Sequence, residues 1–191
     1  MTQPAQTPPQ NTEAEASLLG AVLIDSDAIV KIADSISARD FFDAKHMRIY
    51  EAIVQLYEKH SPIDVLTLSD QLKNNNYLDM VGGPAYLTEL TNFVPTAAHV
   101  EQYADIVAQK ALRRRLIGAS QEMGSLGYDE TKSLQELIEE AETKLFEVSQ
   151  QHVKQDVISL EAILAESFER LDELHKDKQK IRGVPTGYKD L

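Results

Sequence analysis

Apolar residues recur along this chain at steps of three and four, the spacing that puts them on one face of a helix. Leu18, Leu19, Val22 and Leu23 predict a first helix from about Glu13 to Leu23, and Thr12 and Glu15 ahead of it have capping-box spacing. Asp25, Ser26 and Asp27 interrupt the pattern, and Ile29, Ile32, Ala33 and Ile36 mark a second, short helix. Between Ala44 and His60 the stripe is Met47, Tyr50, Ile53, Val54 and Tyr57, and Ser61 and Pro62 stop it because the residue before proline avoids helical geometry. Ile63 to Leu68 suits a short strand or the start of a buried helix; a helix from Val65 to Asn74 fits better. Asn74, Asn75 and Asn76, then Gly82 and Gly83, are turn signals, and Pro84 to Asn92 reads as a helix opening on proline. Residues 12–95 thus form a head of short helices, preceded by a Pro/Gln/Thr-rich tail, 1–11, that has little to bury.

After Pro95 the elements lengthen. Ala97 to Ser125 contains no proline and predicts one helix of four turns or more; Gly127, Tyr128 and Asp129 turn the chain, and Ser133 and Glu136 repeat the capping-box spacing. Leu134, Ile138, Ala141, Leu145 and Val148 then step by four and three, a seam at heptad spacing. Two long helices joined by a short turn make an antiparallel hairpin, 97–150, whose outer face needs a cover. Gln150 to Val157 breaks the period. Ser159 caps a final helix to about Lys178 with Leu160, Ile163, Leu164, Phe168, Leu171 and Leu174 on one side. At about 1.5–3 kcal/mol per large apolar side chain buried, that stripe gains several kcal/mol on docking, either back on the hairpin or on another molecule. The fold class is all-α: head, hairpin, then a separate amphipathic linker helix within 151–180. Ile181 to Leu191, with Gly183, Pro185 and Gly187, reads as the opening of a further domain.

Charge narrows the function. The 191 residues carry a formal net charge of −12, which makes the chain a poor lone partner for a phosphate backbone. Without cysteine there is no disulfide framework and no thiol nucleophile, and the simplest compartment is a reducing cytosol. Residues 1–16 lack the features of a signal peptide, and no stretch is long and apolar enough for a membrane span, so no membrane partner is expected.

Little of the sequence suggests catalysis. Gly183 to Lys189 fails as a phosphate loop, because the glycine spacing is short and no Ser or Thr follows the lysine. His46, His60, His99, His152 and His175 do not pair at ligand spacing, so they are expected to be surface or capping residues rather than a metal site. No G-x-S-x-G elbow occurs, so no catalytic residue, cofactor or metal is expected in this chain. Arg113, Arg114 and Arg115 form the one dense basic cluster; ion pairing with Glu136, Glu139, Glu140 and Glu142 on the returning helix is preferred over a nucleic-acid patch, because the hairpin is itself acidic. Residues 63–77 have some helix-turn-helix rhythm, the alternative function being DNA reading, but Lys73 is the only Lys or Arg between Lys59 and Lys110.

Several segments, taken in order, resemble the N-terminal part of the bacterial replicative DNA helicases of the DnaB family: Asn11-Thr12-Glu13-Ala14-Glu15 before Leu18-Leu19-Gly20; Phe41-Phe42 with His46 and Ile49-Tyr50; Pro62-Ile63-Asp64 with Thr67-Leu68; Gly82-Gly83 with Tyr86-Leu87; Tyr103 with the arginine run; Gly127-Tyr128; and Gly183-Val184-Pro185-Thr186-Gly187. The resemblance implies a collar domain over 12–150, hairpins pairing through Leu134, Ile138, Ala141, Leu145 and Val148 into a trimer of dimers, and a linker helix docking on a neighbouring subunit. It also implies that a DnaG-type primase and a helicase loader bind, with Ile117, Met123, Leu126 and Tyr128 as candidate primase contacts. Residues 181–191 would be the threshold of a RecA-like motor, which would supply ATP and Mg binding, DNA contact and strand separation.

Overall fold

The computed structural model describes residues 7–150, which form an all-α fold with no strand among them. The order is α1 (Thr12–Ile24), α2 (Ala28–Ile32), a 3-10 turn (Ala38–Asp40), α3 (Ala44–Glu58), α4 (Val65–Asn74), α5 (Leu78–Val81), α6 (Gly83–Asn92), a second 3-10 turn (Ala97–His99), α7 (Val100–Leu126) and α8 (Leu134–Gln150). The tail 1–6, the predicted linker helix with Leu160, Ile163, Leu164, Phe168, Leu171 and Leu174, and the segment 181–191 lie outside the described residues.

Helix α1 is the central element. Ala14, Ala16, Leu18, Leu19, Ala21, Val22 and Leu23 are all buried along it, and it packs against α2, α3, α6 and α7. A helix contacted on so many sides needs close approaches, and Gly20 supplies one: a Cβ there would overlap the Leu90 carbonyl of α6. Its N-cap differs from expectation. Asn11, not Thr12, caps the helix by accepting from Ala14 N–H at 3.0 Å, and Glu15 does not turn back to the cap at all.

The other boundaries follow local chemistry. Asp43 caps α3 and Asp64 caps α4, the latter closed reciprocally by the Thr67 hydroxyl. The short α5, which periodicity did not reveal, ends at Gly82, whose φ of +101° is left-handed and lets α6 begin at once with Pro84 in its first turn. Helix α2 stops at Ile32, so Ile36 is buried beyond its end rather than on it. In α3 the buried stripe is His46, Ile49, Tyr50, Ala52, Ile53 and Leu56, rotated from the predicted one: Met47 and Val54 are half-buried and Tyr57 is 37% exposed. The core takes polar His46 because its hydrogen bonds are made internally.

The predicted long helix starts three residues late, after the second 3-10 turn. At 27 residues α7 is about 40 Å long. Its first part, with Val100, Ala104 and Val107, belongs to the head core; its second part packs on α8. The Ser133–Glu136 box is formed, with Glu136 Oε2 accepting from Ser133 N–H at 2.8 Å and Ser133 Oγ accepting from Glu136 N–H at 3.3 Å. Between Ile63 and Tyr77 lies one ten-residue helix, α4, whose Leu68 and Leu72 are buried, and four-residue α5 follows it.

Candidate protein-interaction surface

Two features define what this molecule presents: a buried polar network that fixes the head against the hairpin, and an apolar face on the hairpin itself. The network is centred on Glu15, 1% exposed. Its Oε1 accepts from Phe42 N–H at 2.7 Å, and its Oε2 accepts from Asp43 N–H at 3.2 Å and lies 2.8 Å from His46 Nδ1. An ionised carboxylate only accepts, so Nδ1 carries a proton; in the neutral ring Nε2 then accepts from the Tyr86 hydroxyl at 2.7 Å. One carboxylate thus joins α1 to the start of α3 and, through His46, to α6. The expectation that all five histidines are surface or capping residues fails at His46, which is 2% exposed. Local spacing could not reveal this, because Glu15 and His46 are 31 positions apart.

A second node ties α7 to the same loop. Arg114 donates to the Pro9 carbonyl at 2.8 Å and to the Asp40 carbonyl, and its guanidinium lies 5.6 Å from the Phe42 ring centre. Arg115 Nη2 is 3.1 Å from Asp40 Oδ1, and Asp40 Oδ2 accepts from Ser37 N–H at 2.7 Å and Ser37 Oγ at 2.9 Å. Burial lowers the Arg114 pKa from its ordinary value, while Glu15 and Asp40 pull it the other way. Arg114 and Arg115 therefore bind the head, where the sequence suggested ion pairs with the returning helix. Within the hairpin, Lys144 Nζ pairs across the two helices with Glu122 Oε2 at 2.9 Å.

On α8 the predicted seam divides. Ala141 and Val148 are half-buried, as are Leu137 and Lys144, and the Lys144–Glu122 pair shows that this stripe faces α7. Leu134, Ile138 and Leu145 are instead 75%, 50% and 52% exposed, and Phe146, which the heptad reading omitted, is exposed too. On α7, Leu116 and Ile117 are also exposed, while Met123 and Leu126 are half-buried and Tyr128, in the turn, is fully in solvent. Exposed large apolar side chains are thus gathered along α7 and α8 of one hairpin. Among the described residues, no group of three or more His, Asp or Glu side chains is placed to hold a metal ion, and no helix is long and apolar enough to cross a membrane.

A head of short helices bearing a long hairpin with exposed apolar side chains defines an all-α module. Residues 7–109 match the family described as the DnaB-like helicase N terminal domain, and the chain belongs to it. It is 35% identical over 184 residues to the replicative DNA helicase DnaC of Bacillus subtilis and 36% identical over 184 residues to DnaB of Geobacillus stearothermophilus. Each alignment covers 96% of this chain but 40% of the relative, so the chain spans about two fifths of the length of these curated relatives. The crystal structure of the N-terminal domain of DnaB helicase from Mycobacterium tuberculosis superposes with a TM-score of 0.70 at 37% identity, covering 74% of this chain and 99% of that one. A DnaB-like replicative helicase, described with its interactions with primase, shares the fold at a TM-score of 0.67 and 23% identity, covering 93% of this chain and 38% of that one.

Proposed function

We propose that this chain is the oligomerisation and partner-docking collar of a replicative helicase, with head 12–95 and hairpin 97–150 as the collar, the helix within 151–180 as a linker that docks on a neighbouring subunit, and 181–191 as the start of a RecA-like motor domain. The observation that carries the reading is the row of exposed apolar side chains on α8, Leu134, Ile138, Leu145 and Phe146, in a chain whose residues 7–109 match a helicase domain family. Hairpins paired through this row build dimers, and three dimers close a hexameric collar. A DnaG-type primase and a helicase loader bind the collar, with Ile117, Met123, Leu126 and Tyr128 as primase contacts. The whole protein unwinds duplex DNA in the cytoplasm, at the replication fork. ATP, Mg and DNA are handled by its motor rather than by the acidic collar.

Sedimentation velocity across a concentration series tests this. The unmodified chain is expected to associate, and Ile138→Asp with Leu145→Asp to weaken that association at least tenfold while leaving the far-UV dichroism unchanged. A monomer at every concentration, or equal association by the double variant, refutes the assignment of the α8 face. Binding of a primase C-terminal fragment to the unmodified chain, reduced by Ile117→Asp or Tyr128→Ala, tests the docking part.

A further inference from the structure

We infer that Arg114 and Arg115 are a latch that fixes the direction of the hairpin relative to the head. Ala111 of α7 is still buried, but the last α7 residue of the head's apolar core cluster is Val107. Arg114 lies seven residues beyond Val107, about 10 Å along the axis, and still holds the head through the Pro9 and Asp40 carbonyls, while Arg115 pairs with the Asp40 carboxylate. The two guanidiniums thus hold the head about two helical turns beyond Val107 and about one beyond Ala111. Beyond them the helix runs to Leu126, about 17 Å of lever that carries the turn and α8.

What the latch holds is itself pre-set. Asp40 is kept in place by Ser37, and the Phe42 ring next to Arg114 is fixed through its backbone by Glu15. The Pro9 carbonyl lies just ahead of α1, so the same side chain also pins the point where the N-terminal segment enters the head. Hydrogen bonds and ion pairs to a guanidinium are directional, so they fix an angle as well as a distance, whereas apolar contacts are non-directional. A polar grip at the base of a stiff lever is the arrangement in which a small local change alters the angle of a distant surface. The device acts within one chain and does not depend on which partner the hairpin meets.

Double electron–electron resonance tests it directly, since a chain without cysteine accepts labels at Lys73→Cys on α4 and Glu130→Cys beyond α7 without competing sites. Labelled chains diluted into excess unlabelled chain report the intramolecular head-to-hairpin distance. The unmodified protein is expected to give one narrow distribution, Arg114→Gln with Arg115→Gln to broaden it at least twofold, and Arg115→Lys to keep it narrow. Unchanged width in the double variant overturns the latch. Hydrogen exchange on the same variant separates a latch from a fold-stabilising role: protection is expected to fall about tenfold across 38–42 and 112–120 while α3 and α4 keep theirs. Equal loss in α3 and α4 also overturns it, because the arginines would then be holding the head together. Asp40→Asn, which preserves the backbone acceptor, is expected to broaden the distribution less than the double variant; a broadening as large would assign the grip to the ion pair alone and overturn the role of Arg114.

Discussion

Replacing Glu15 with glutamine keeps the size of the side chain and changes only what it can accept. The carboxylate takes two backbone N–H groups and His46 Nδ1 within 3.2 Å. An amide has one accepting oxygen. If that oxygen stays on Phe42 N–H, the NH2 faces Asp43 N–H, donor against donor, and His46 must change tautomer to receive it. One buried N–H left without an acceptor costs about 1–3 kcal/mol, and exchanging charged for neutral hydrogen bonds costs about 1 more, so the loss is about 2–4 kcal/mol. Glu13 provides the control: it lies two residues earlier in the same first turn, feels the same helix dipole and is exposed, so Glu13→Gln is expected to cost only a few tenths of a kcal/mol. Urea unfolding of both variants, followed by far-UV dichroism with slopes compared, measures the difference. A Glu15→Gln cost below about 1 kcal/mol at an unchanged slope, or a cost equal to that of Glu13→Gln, would refute the claim that this carboxylate organises the head.

Two of the helical glycines, Gly20 and Gly118, should respond to the same change with opposite signs. Gly20→Ala is expected to lower stability by about 1–3 kcal/mol because its methyl meets the Leu90 carbonyl, whereas Gly118→Ala, with nothing near its Cβ, is expected to raise it by about 0.5–1 kcal/mol; thermal melts that move in the same direction for both contradict the packing. At α4, hydrogen bonds from Thr67 hold the Asp64 carboxyl below its ordinary value, with burial opposing. A depressed folded pKa means its stabilisation is present above the unfolded value of about 3.9 and is lost as pH falls through the lower folded value. Asp64→Ala is therefore expected to cost about 1 kcal/mol at neutral pH and progressively less in acid, read from denaturation at a series of pH values, and a cost independent of pH would argue against the charged cap.

Most helices were legible because their ends are written in local chemistry. Asp64 with Thr67, Pro84 after two glycines, and Ser133 with Glu136 each act over three residues, within reach of sequence spacing. The errors came where a residue's partner is distant. Glu15 has the same spacing from Thr12 as Glu136 has from Ser133, yet its acceptors are spent on residues 27 to 31 positions away. His46 reads as a polar position, which sets the predicted α3 stripe one residue aside, although a histidine with both ring nitrogens hydrogen-bonded can be buried. The arginine run had acidic residues of α8 as its obvious counterparts, and nothing along the chain marks a turn at Asp40 as the closer one.

The apolar row on α8 and the direction of the hairpin were consequently unequal in visibility. The exposed row of Leu134, Ile138 and Leu145 is a periodic pattern on one helix, so its spacing is visible along the chain. The direction in which α7 carries that row depends on two guanidiniums, one carboxylate and two carbonyls from three separate stretches of chain. A surface can therefore be intact in every residue and still fail to meet its partner if the base of the hairpin loosens. Association by the unmodified chain that falls in the Arg114→Gln, Arg115→Gln variant, with no residue of the apolar row altered, would show that geometry set in the head governs contact made at the hairpin. An unaltered association would mean that the paired hairpins fix their own direction and that the grip at Asp40 matters only before they meet.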